Sequence, residues 1–177
     1  MSSRDTSDET CLARPVEAAD LVPVLDRHQQ WVASGWECGK RADLHGRDLH
    51  QLDLREVLLS DADLHRADLH DAALCGCELL GADLHRCDLH GANLRSADLQ
   101  WADLHDADLH GADLRDARLD DADLHRADLH DADLTQAALR GADLRGADLR
   151  RVRGLTLAQI SEGIIDANTR LPGAASE

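Results

Sequence analysis

Leucine recurs at every fifth position from Leu44 to Leu149 without interruption, giving 22 consecutive five-residue units. Alanine usually stands two residues before each leucine and aspartate one residue before it, as in Ala62-Asp63-Leu64. A period of five fits neither the 3.6 residues of a helical turn nor the alternation of a strand. Repetition at a fixed period instead predicts a solenoid whose turns bury their interior against each other.

A second period of twenty residues overlies the first. Similar twenty-residue blocks begin at Asp61, Gly81, Trp101 and Asp121. Twenty residues are four units of five, so residues twenty apart are expected to lie side by side at the spacing of paired strands, about 4.7–4.9 Å. The repeats then form about five and a half coils and a rod of about 26 Å.

The Ala-Asp-Leu-x-x motif resembles the pentapeptide-repeat family, and the resemblance covers about two thirds of the chain. It implies an all-β fold, a right-handed quadrilateral β-helix in which four pentapeptides form the four sides of each coil. Leucine and the preceding alanine then point inward. The expected organisation is a disordered tail over 1–14, a helical cap and lead-in over 15–40, the β-helix over 41–153, and a C-terminal helical cap and tail over 154–177.

Both ends of the predicted β-helix require a cover, because an open sheet edge invites pairing with other chains. The N-terminal cover is expected to be a helix from Pro15 to Ser34, broken near Pro23. Its apolar face carries Val24, Leu25, His28, Trp31 and Val32, and we interpret His28 and Trp31 as packing residues. At the other end, Thr156 and Gln159 form a predicted capping box, followed by Leu157, Ile160 and Ile164 at helical spacing.

The formal net charge of -16 argues against direct binding to nucleic acid or anionic lipid, so a basic protein surface is the expected partner. The first ten residues lack the apolar core of a signal peptide, and no apolar run is long enough for a membrane span. The expected location is the cytoplasm. Cys77 and Cys87 replace the inward alanine, so we expect them to act as small buried apolar residues.

Ten of the eleven histidines fall into two columns when the chain is aligned on the twenty-residue period. Each column is accompanied by a column of aspartates one residue before leucine. The first histidine column comprises His45, His65, His85, His105 and His125, and the second comprises His50, His70, His90, His110 and His130. The aspartates beside them include Asp83, Asp103 and Asp123 for the first column, and Asp88, Asp108 and Asp128 for the second.

Four interpretations of these columns remain open. The histidines are a solvated surface copied by duplication of the twenty-residue unit, ligands of a transition metal such as Zn, Ni or Cu, a pH-dependent binding face for a basic partner, or parts of a hydrolase site. A catalytic dyad needs a pocket that excludes water, and a convex rod offers none. We therefore predict a non-enzymatic protein with no cofactor and no catalytic residue, and the alternative function is metal- or pH-responsive binding through the histidine columns.

Leu80, Trp101 and Arg118 depart from the consensus on another side of the coil, where Leu80 is expected to lie near Trp101. An exposed tryptophan with leucine and arginine nearby is typical of a protein-binding hot spot. The resemblance also implies a model for the function. The family includes acidic topoisomerase-protecting rods that resemble duplex DNA and occupy DNA gyrase, so gyrase is the candidate partner. Relatives also imply a monomer or a homodimer formed through the C-terminal end.

Overall fold

The computed structural model describes residues 20–173, which contain two short helices, α1 (Val22–Ala33) and α2 (Leu157–Glu162). The predicted tail over 1–14 and the first residues of the predicted N-terminal cap lie outside the described residues. Between the helices the chain forms a solenoid joined by isolated parallel β-bridges rather than by continuous strands. Within 20–173, neither helix has the length and apolarity needed to cross a bilayer.

The bridges join each coil to the next at a separation of twenty residues. Four series run along the solenoid, starting with the pairs Asp43↔Asp63, Asp48↔Asp68, Asp53↔Ala73 and Leu58↔Glu78. The hydrogen bonds alternate around each bridge: Leu44 N–H donates to the carbonyl of Asp63 at 2.7 Å, and Asp63 N–H donates to the carbonyl of Ala42 at 2.9 Å. The twenty-residue register predicted from the sequence is therefore the register of the fold.

The interior consists of the repeated leucines and of the small residues two positions before them. From Ala62 to Leu149 every side chain in these two positions is at most 3% exposed. Cys77 and Cys87 occupy the small inward position, and burial raises the pKa of each thiol to about 12. Leucine and alanine fill the interior because only a small residue fits beside each leucine in so narrow a coil.

The first coil departs from this pattern. Arg47 stands at an inward position in the repeat, but its side chain is exposed, while Leu52 and Val57 are partly buried. Burying a guanidinium group without a partner costs far more than displacing one residue of a terminal coil. In this coil the inward position is therefore filled by the larger side chains of Leu52 and Val57 but not by that of Arg47.

Each corner of the coil is a tight turn closed by a backbone hydrogen bond. Ala62 N–H donates to the carbonyl of Leu59 at 3.0 Å, and Asp61, the third residue of this turn, has φ 58°. A positive φ at the third residue is typical of a type II turn and suits glycine best. The same conformation recurs at the residue two after leucine even where that residue is Arg66 (φ 58°) or Trp101 (φ 57°).

Helix α1 covers the first coil through a buried histidine. Pro23 lies in the first turn of the helix, where its missing N–H costs no hydrogen bond, so within the described residues it begins the helix rather than breaking it. His28 is 0% exposed, and its Nδ1 accepts the backbone N–H of Ala42 at 3.0 Å. The ring stacks on Trp31 with centroids 5.6 Å apart. These contacts agree with the packing interpretation of both residues.

The last coil is covered mainly by backbone pairing. The predicted capping box between Thr156 and Gln159 is present at the start of α2. However, α2 contains no buried residue, and Leu157 is 85% exposed. The expected packing of Leu157 against the last coil is therefore absent. Parallel bridges from Asp143 to Ile164 and from Asp148 to Arg170 occupy the open edge instead.

Candidate functional site

The repeated aspartates cap the corners of the coil. In each repeat with an acidic residue before leucine and a polar residue after it, the carboxylate accepts the backbone N–H two residues later, as from His65 to Asp63 at 3.2 Å and from His105 to Asp103 at 3.1 Å. Asn93 does the same for Arg95 at 3.2 Å. This bond satisfies a backbone donor that the bridges leave unpaired. From the sequence these aspartates were interpreted only as surface charges. Their constant position, one residue before leucine and three before the corner residue, could have indicated that they cap the turn.

Six of the ten histidines after leucine also bond to the same aspartates through the ring, namely His50, His65, His70, His85, His90 and His105. His70 Nδ1 lies 2.6 Å from Asp68, His85 Nδ1 lies 2.6 Å from Asp83, and His90 Nδ1 lies 2.7 Å from Asp88. With Nδ1 bonded to its own aspartate, each of these rings directs Nε2 away from the carboxylate. The repeating unit of the surface is therefore an aspartate–histidine pair.

We call the first series of rings the His45 column, defined as His45, His65, His85, His105 and His125. Within it, His65 and His85 have ring centroids 4.5 Å apart with an interplanar angle of 4°, and His85 and His105 are 4.9 Å apart at 2°. His45 differs, because its ring is tilted by 50° from His65 and the two Nδ1 atoms are 2.7 Å apart.

The second series, which we call the His50 column, comprises His50, His70, His90, His110 and His130. The rings of His50 and His70 are 4.8 Å apart at 3°, and those of His70 and His90 are 4.9 Å apart at 3°. His110 and His130 are 5.6 Å apart at 16°. His130 is bonded differently, since its Nε2 lies 3.4 Å from the carboxylate of Asp131.

Aspartate–histidine pairing changes the pKa values of both partners. Hydrogen bonds with Asp48 and Asp88 raise the pKa of His50 and of His90, respectively, despite the opposing effect of desolvation. Partial burial alone would raise the pKa of Asp88, but the hydrogen bonds from the His90 side chain and backbone outweigh it and lower that pKa. The Asp48–His50 and Asp88–His90 pairs thus combine a carboxylate of lowered pKa with an imidazole of raised pKa.

The two columns differ in the charges around them. Beside the His45 column, Arg86 and Arg126 lie 3.6 and 3.2 Å from Asp106 and compensate part of the negative charge. In the described part of the chain, the solvent-facing positions of the His50 column carry no lysine or arginine from Asp48 to Asp131, although Arg151 of the next coil lies 2.9 Å from Asp131. We call these positions the His50 face. Its seven carboxylates are Asp48, Asp68, Asp71, Asp88, Asp108, Asp128 and Asp131.

The structure places the other predicted partner-binding residues on a different side of the coil. Trp101 is 63% exposed, and its Nε1 donates to Asp121 at 3.2 Å. Arg118 bonds to Asp98 at 2.8 Å. The register sets Leu80 beside Gln100, the residue before Trp101, and leaves Leu80 partly buried.

Several sets of three side chains have ligand atoms close enough to hold a metal ion. Each combines imidazoles and carboxylates from adjacent coils, with the ligand atoms within 4.8 Å of one another. Among the sets are His45–Asp63–His65, His65–Asp83–His85 and Asp68–His70–Asp88. The twenty-residue period of the sequence places these residues in columns, but it does not show which nitrogen atoms approach one another.

A family model described as pentapeptide repeats matches residues 40–72, 67–106, 97–136 and 127–153, well over half of the chain, with eight copies. No curated protein matches the sequence. Among solved structures, the pentapeptide repeat protein Rfr23 of the cyanobacterium Cyanothece 51142 is 33% identical over 59% of this chain and 63% of its own, with a TM-score of 0.25. This chain therefore spans slightly less than two thirds of the length of Rfr23.

Two further structures are similar. A pentapeptide repeat protein from the thylakoid lumen of Arabidopsis thaliana is 30% identical over 66% of this chain and 73% of its own, with a TM-score of 0.27. QnrB1, a plasmid-mediated fluoroquinolone resistance protein, is 17% identical over 71% of this chain and 73% of its own, with a TM-score of 0.36.

Proposed function

Because this chain belongs to the pentapeptide repeat family, we propose that it is a non-enzymatic interaction module whose His50 face binds a basic surface of a protein partner. The observation that carries this proposal is the absence of lysine and arginine between Asp48 and Asp131 on that face. Carboxylates at regular spacing attract a basic partner over a distance set by the salt concentration, and on this face Asp131, at its C-terminal end, is already paired with Arg151 at 2.9 Å.

The repeat geometry supports this role. Bridges that fix every coil to the next hold the carboxylates in place, so binding does not require ordering of a flexible acidic segment. We also propose that the solenoid over 41–153 is a right-handed quadrilateral β-helix, with 15–40 as the N-terminal cap and 154–177 as the C-terminal cap and tail. The proposed location is the cytoplasm.

The specific partner that we propose is a DNA-binding protein, with the DNA-binding surface of a topoisomerase such as gyrase as the candidate. Duplex DNA carries one negative charge per about 1.7 Å of its axis. The seven carboxylates of the His50 face lie along five coils of about 4.8 Å each, or one per about 3.4 Å, which is the charge spacing of a single strand of the duplex. The net charge of -16 is in the range needed for a rod of this length to resemble DNA.

Aspartate-to-asparagine variants test the proposed face without removing the corner caps, because Asn93 already caps a corner in this chain. We expect the triple variant Asp88→Asn, Asp108→Asn, Asp128→Asn to bind gyrase, or another captured basic partner, at least tenfold more weakly. The matched control is Asp83→Asn, Asp103→Asn, Asp123→Asn, which removes the same charge from the His45 column. Equal weakening by both triples would reject the His50 face, and unchanged gyrase supercoiling at micromolar protein would reject gyrase as the partner.

A pH-responsive form of the same function is favoured by the hydrogen bonds between the His50 column and its aspartates. Protonation of these imidazoles reduces the negative charge of the face, so binding to a basic partner should weaken as the pH falls from 8 to 6. An affinity that does not change with pH would reject the pH response but not the binding of a basic partner.

A second contact area is proposed around Leu80, Trp101 and Arg118. It is supported by the 63% exposure of Trp101 in a rigid corner of the coil. Capture of a partner by the native chain and by Trp101→Ala tests it. Equal recovery of the partner by the two proteins would rule this area out.

The oligomeric state that we propose is a monomer or a homodimer formed through the C-terminal end. Exposed apolar side chains near that end support the dimer, namely Leu157 (85%), Ile164 (50%), Ile165 (39%) and Leu171 (41%). Light scattering after size-exclusion chromatography distinguishes the two states, and replacing Leu157 and Ile165 with serine should convert a dimer to a monomer.

A further inference from the structure

The first two rings of the His45 column have their Nδ1 atoms directed at each other. His45 Nδ1 and His65 Nδ1 are 2.7 Å apart, and the ring centroids are 3.6 Å apart. Asp63 places a carboxylate oxygen 3.2 Å from the same His65 nitrogen. One of these nitrogens donates its N–H to the other, so two ring nitrogens and one anionic oxygen converge on one small volume at the first coil.

The stacked part of the same column does not have this geometry. The rings of His85 and His105 are nearly parallel at 4.9 Å, and each Nδ1 is bonded to its own aspartate at 2.6 Å. Parallel rings send their remaining lone pairs in parallel directions rather than toward a common point. The 50° tilt of His45 against His65 is what allows two imidazoles to share one ligand.

We propose that His45, Asp63 and His65 form a binding site for a divalent transition-metal ion such as Zn²⁺ or Ni²⁺. Imidazole nitrogen is a favoured ligand of these ions, and a carboxylate oxygen completes a three-ligand set that leaves a further position to water. This site is independent of the basic partner proposed for the His50 face.

The distances require only a small adjustment. In a tetrahedral zinc site with Zn–N bonds of about 2.0–2.1 Å, two ligating nitrogens lie about 3.3 Å apart. The rings of His45 and His65 therefore need to separate by about 0.6 Å. The metal replaces the proton that the two Nδ1 atoms share, and the ring that carried this proton becomes the neutral Nε2–H tautomer by exchange with solvent. The side chain of His45 is exposed, and the tilt of its ring can change without disturbing the leucine interior.

A comparison with His50, the first ring of the other column, shows what differs at His45. Each has an imidazole neighbour in the following coil only, but the His50 ring bonds to Asp48 through Nδ1 and stacks on His70 at 3°. Asp43 accepts the backbone N–H of His45 at 3.4 Å, and the Nδ1 of the His45 ring instead meets that of His65.

Calorimetric titration of the untagged, full-length, chelator-treated protein with Zn²⁺ and separately with Ni²⁺ tests the proposal. We expect one tight site per chain with a Kd of about 10 µM or lower. His45→Ala should weaken this site at least tenfold, and Asp63→Asn, which keeps the corner cap, should weaken it several-fold. Histidine ¹⁵N spectra should show the metal shifting Nδ1 of His45 and His65.

His105→Ala is the matched control, because it removes a stacked histidine from the same column and should leave the affinity within twofold. Circular dichroism establishes that each variant keeps the solenoid. An affinity that His45→Ala leaves within twofold of the native value would overturn the site. The proposal would also fail if His45→Ala and His105→Ala weakened binding equally, or if no saturation occurred up to 100-fold above the expected Kd.

Discussion

The carboxylate of Asp68 accepts two hydrogen bonds from one residue, His70: the backbone N–H at 3.2 Å and the ring Nδ1 at 2.6 Å. The first bond caps a corner of the coil, and the second orients an imidazole on the surface. The aspartate column is thus part of the fold and of the candidate binding face at once. Any test of its function must separate the loss of charge from the loss of the cap.

Two substitutions of Asp88 separate the loss of the cap from the loss of charge in a measurement of stability. Asp88→Ala removes the acceptor for His90 N–H and should lower the free energy of unfolding by about 1 kcal/mol. Asp88→Asn keeps an acceptor oxygen, as Asn93 does in the next corner, and should cost less than half as much. Chemical denaturation of both variants measures the difference. Equal losses would show that charge, not capping, fixes aspartate at this position.

The pKa of His90 is expected to lie above its usual value of 6.5, because the side chain of Asp88 hydrogen-bonds to its ring. A raised pKa in the folded state means that this contribution to stability is fully present below the unfolded pKa and is lost as the pH rises through the folded pKa. Histidine NMR titration measures the value, and Asp88→Asn should return it toward 6.5. A His90 pKa that the substitution does not lower would contradict this assignment.

His28 should behave in the opposite way. Burial is the largest cause that lowers its pKa, so the stability that it confers is present above the usual value of 6.5 and is lost as the pH falls through the folded pKa. His28→Ala leaves Ala42 N–H without its acceptor and opens a cavity beside Trp31, which should cost about 2–4 kcal/mol in the N-terminal cap.

Amide hydrogen exchange at Ala42 measures this loss locally. Gln29→Ala, at an exposed position of α1, is the control and should leave the exchange rate nearly unchanged. If His28→Ala protected Ala42 as well as the native chain does, the histidine would not anchor the cap.

Gly154, at the leucine position of its repeat, and Gly111, at a corner, allow a comparison of the cost of a side chain where φ is positive. Both have positive φ, 70° and 68°, but a Cβ at Gly154 would lie 2.5 Å from Thr135 Cα, whereas a Cβ at Gly111 would meet nothing within 4 Å. Gly111→Ala should therefore cost about 1 kcal/mol, and Gly154→Ala at least about 2 kcal/mol more. Thermal unfolding of the two variants gives the comparison, and similar melting temperatures would refute it.

Cys77 and Cys87 should not react with thiol reagents in the native protein at pH 8. Both are buried, and the pKa of each thiol is raised to about 12, so almost no thiolate is present. Cys38 is exposed and should react rapidly, which provides the internal control. Mass spectrometry of the alkylated protein distinguishes the sites. Labelling of Cys77 at the rate of Cys38 would show that the solenoid opens at that coil.

The five- and twenty-residue periods by themselves determined which residues enter the interior and which residues meet in adjacent coils. They could do so because a closed repeat leaves one register that buries every leucine from Leu44 to Leu149. Local chemistry was sufficient for the capping box at Thr156 as well, since it depends on residues three apart.

Only the tertiary structure decided the corners and the surface. Positive φ at Arg66 and Trp101 is imposed by closure of the coil and not by their own preferences, and the tilt of His45 accompanies the contact of its Nδ1 with His65 in the next coil. The exposure of Arg47 and Leu157 likewise follows from how the terminal coils are covered. These features depend on contacts between coils, and a repeat pattern that is the same in every coil cannot distinguish the ends from the middle.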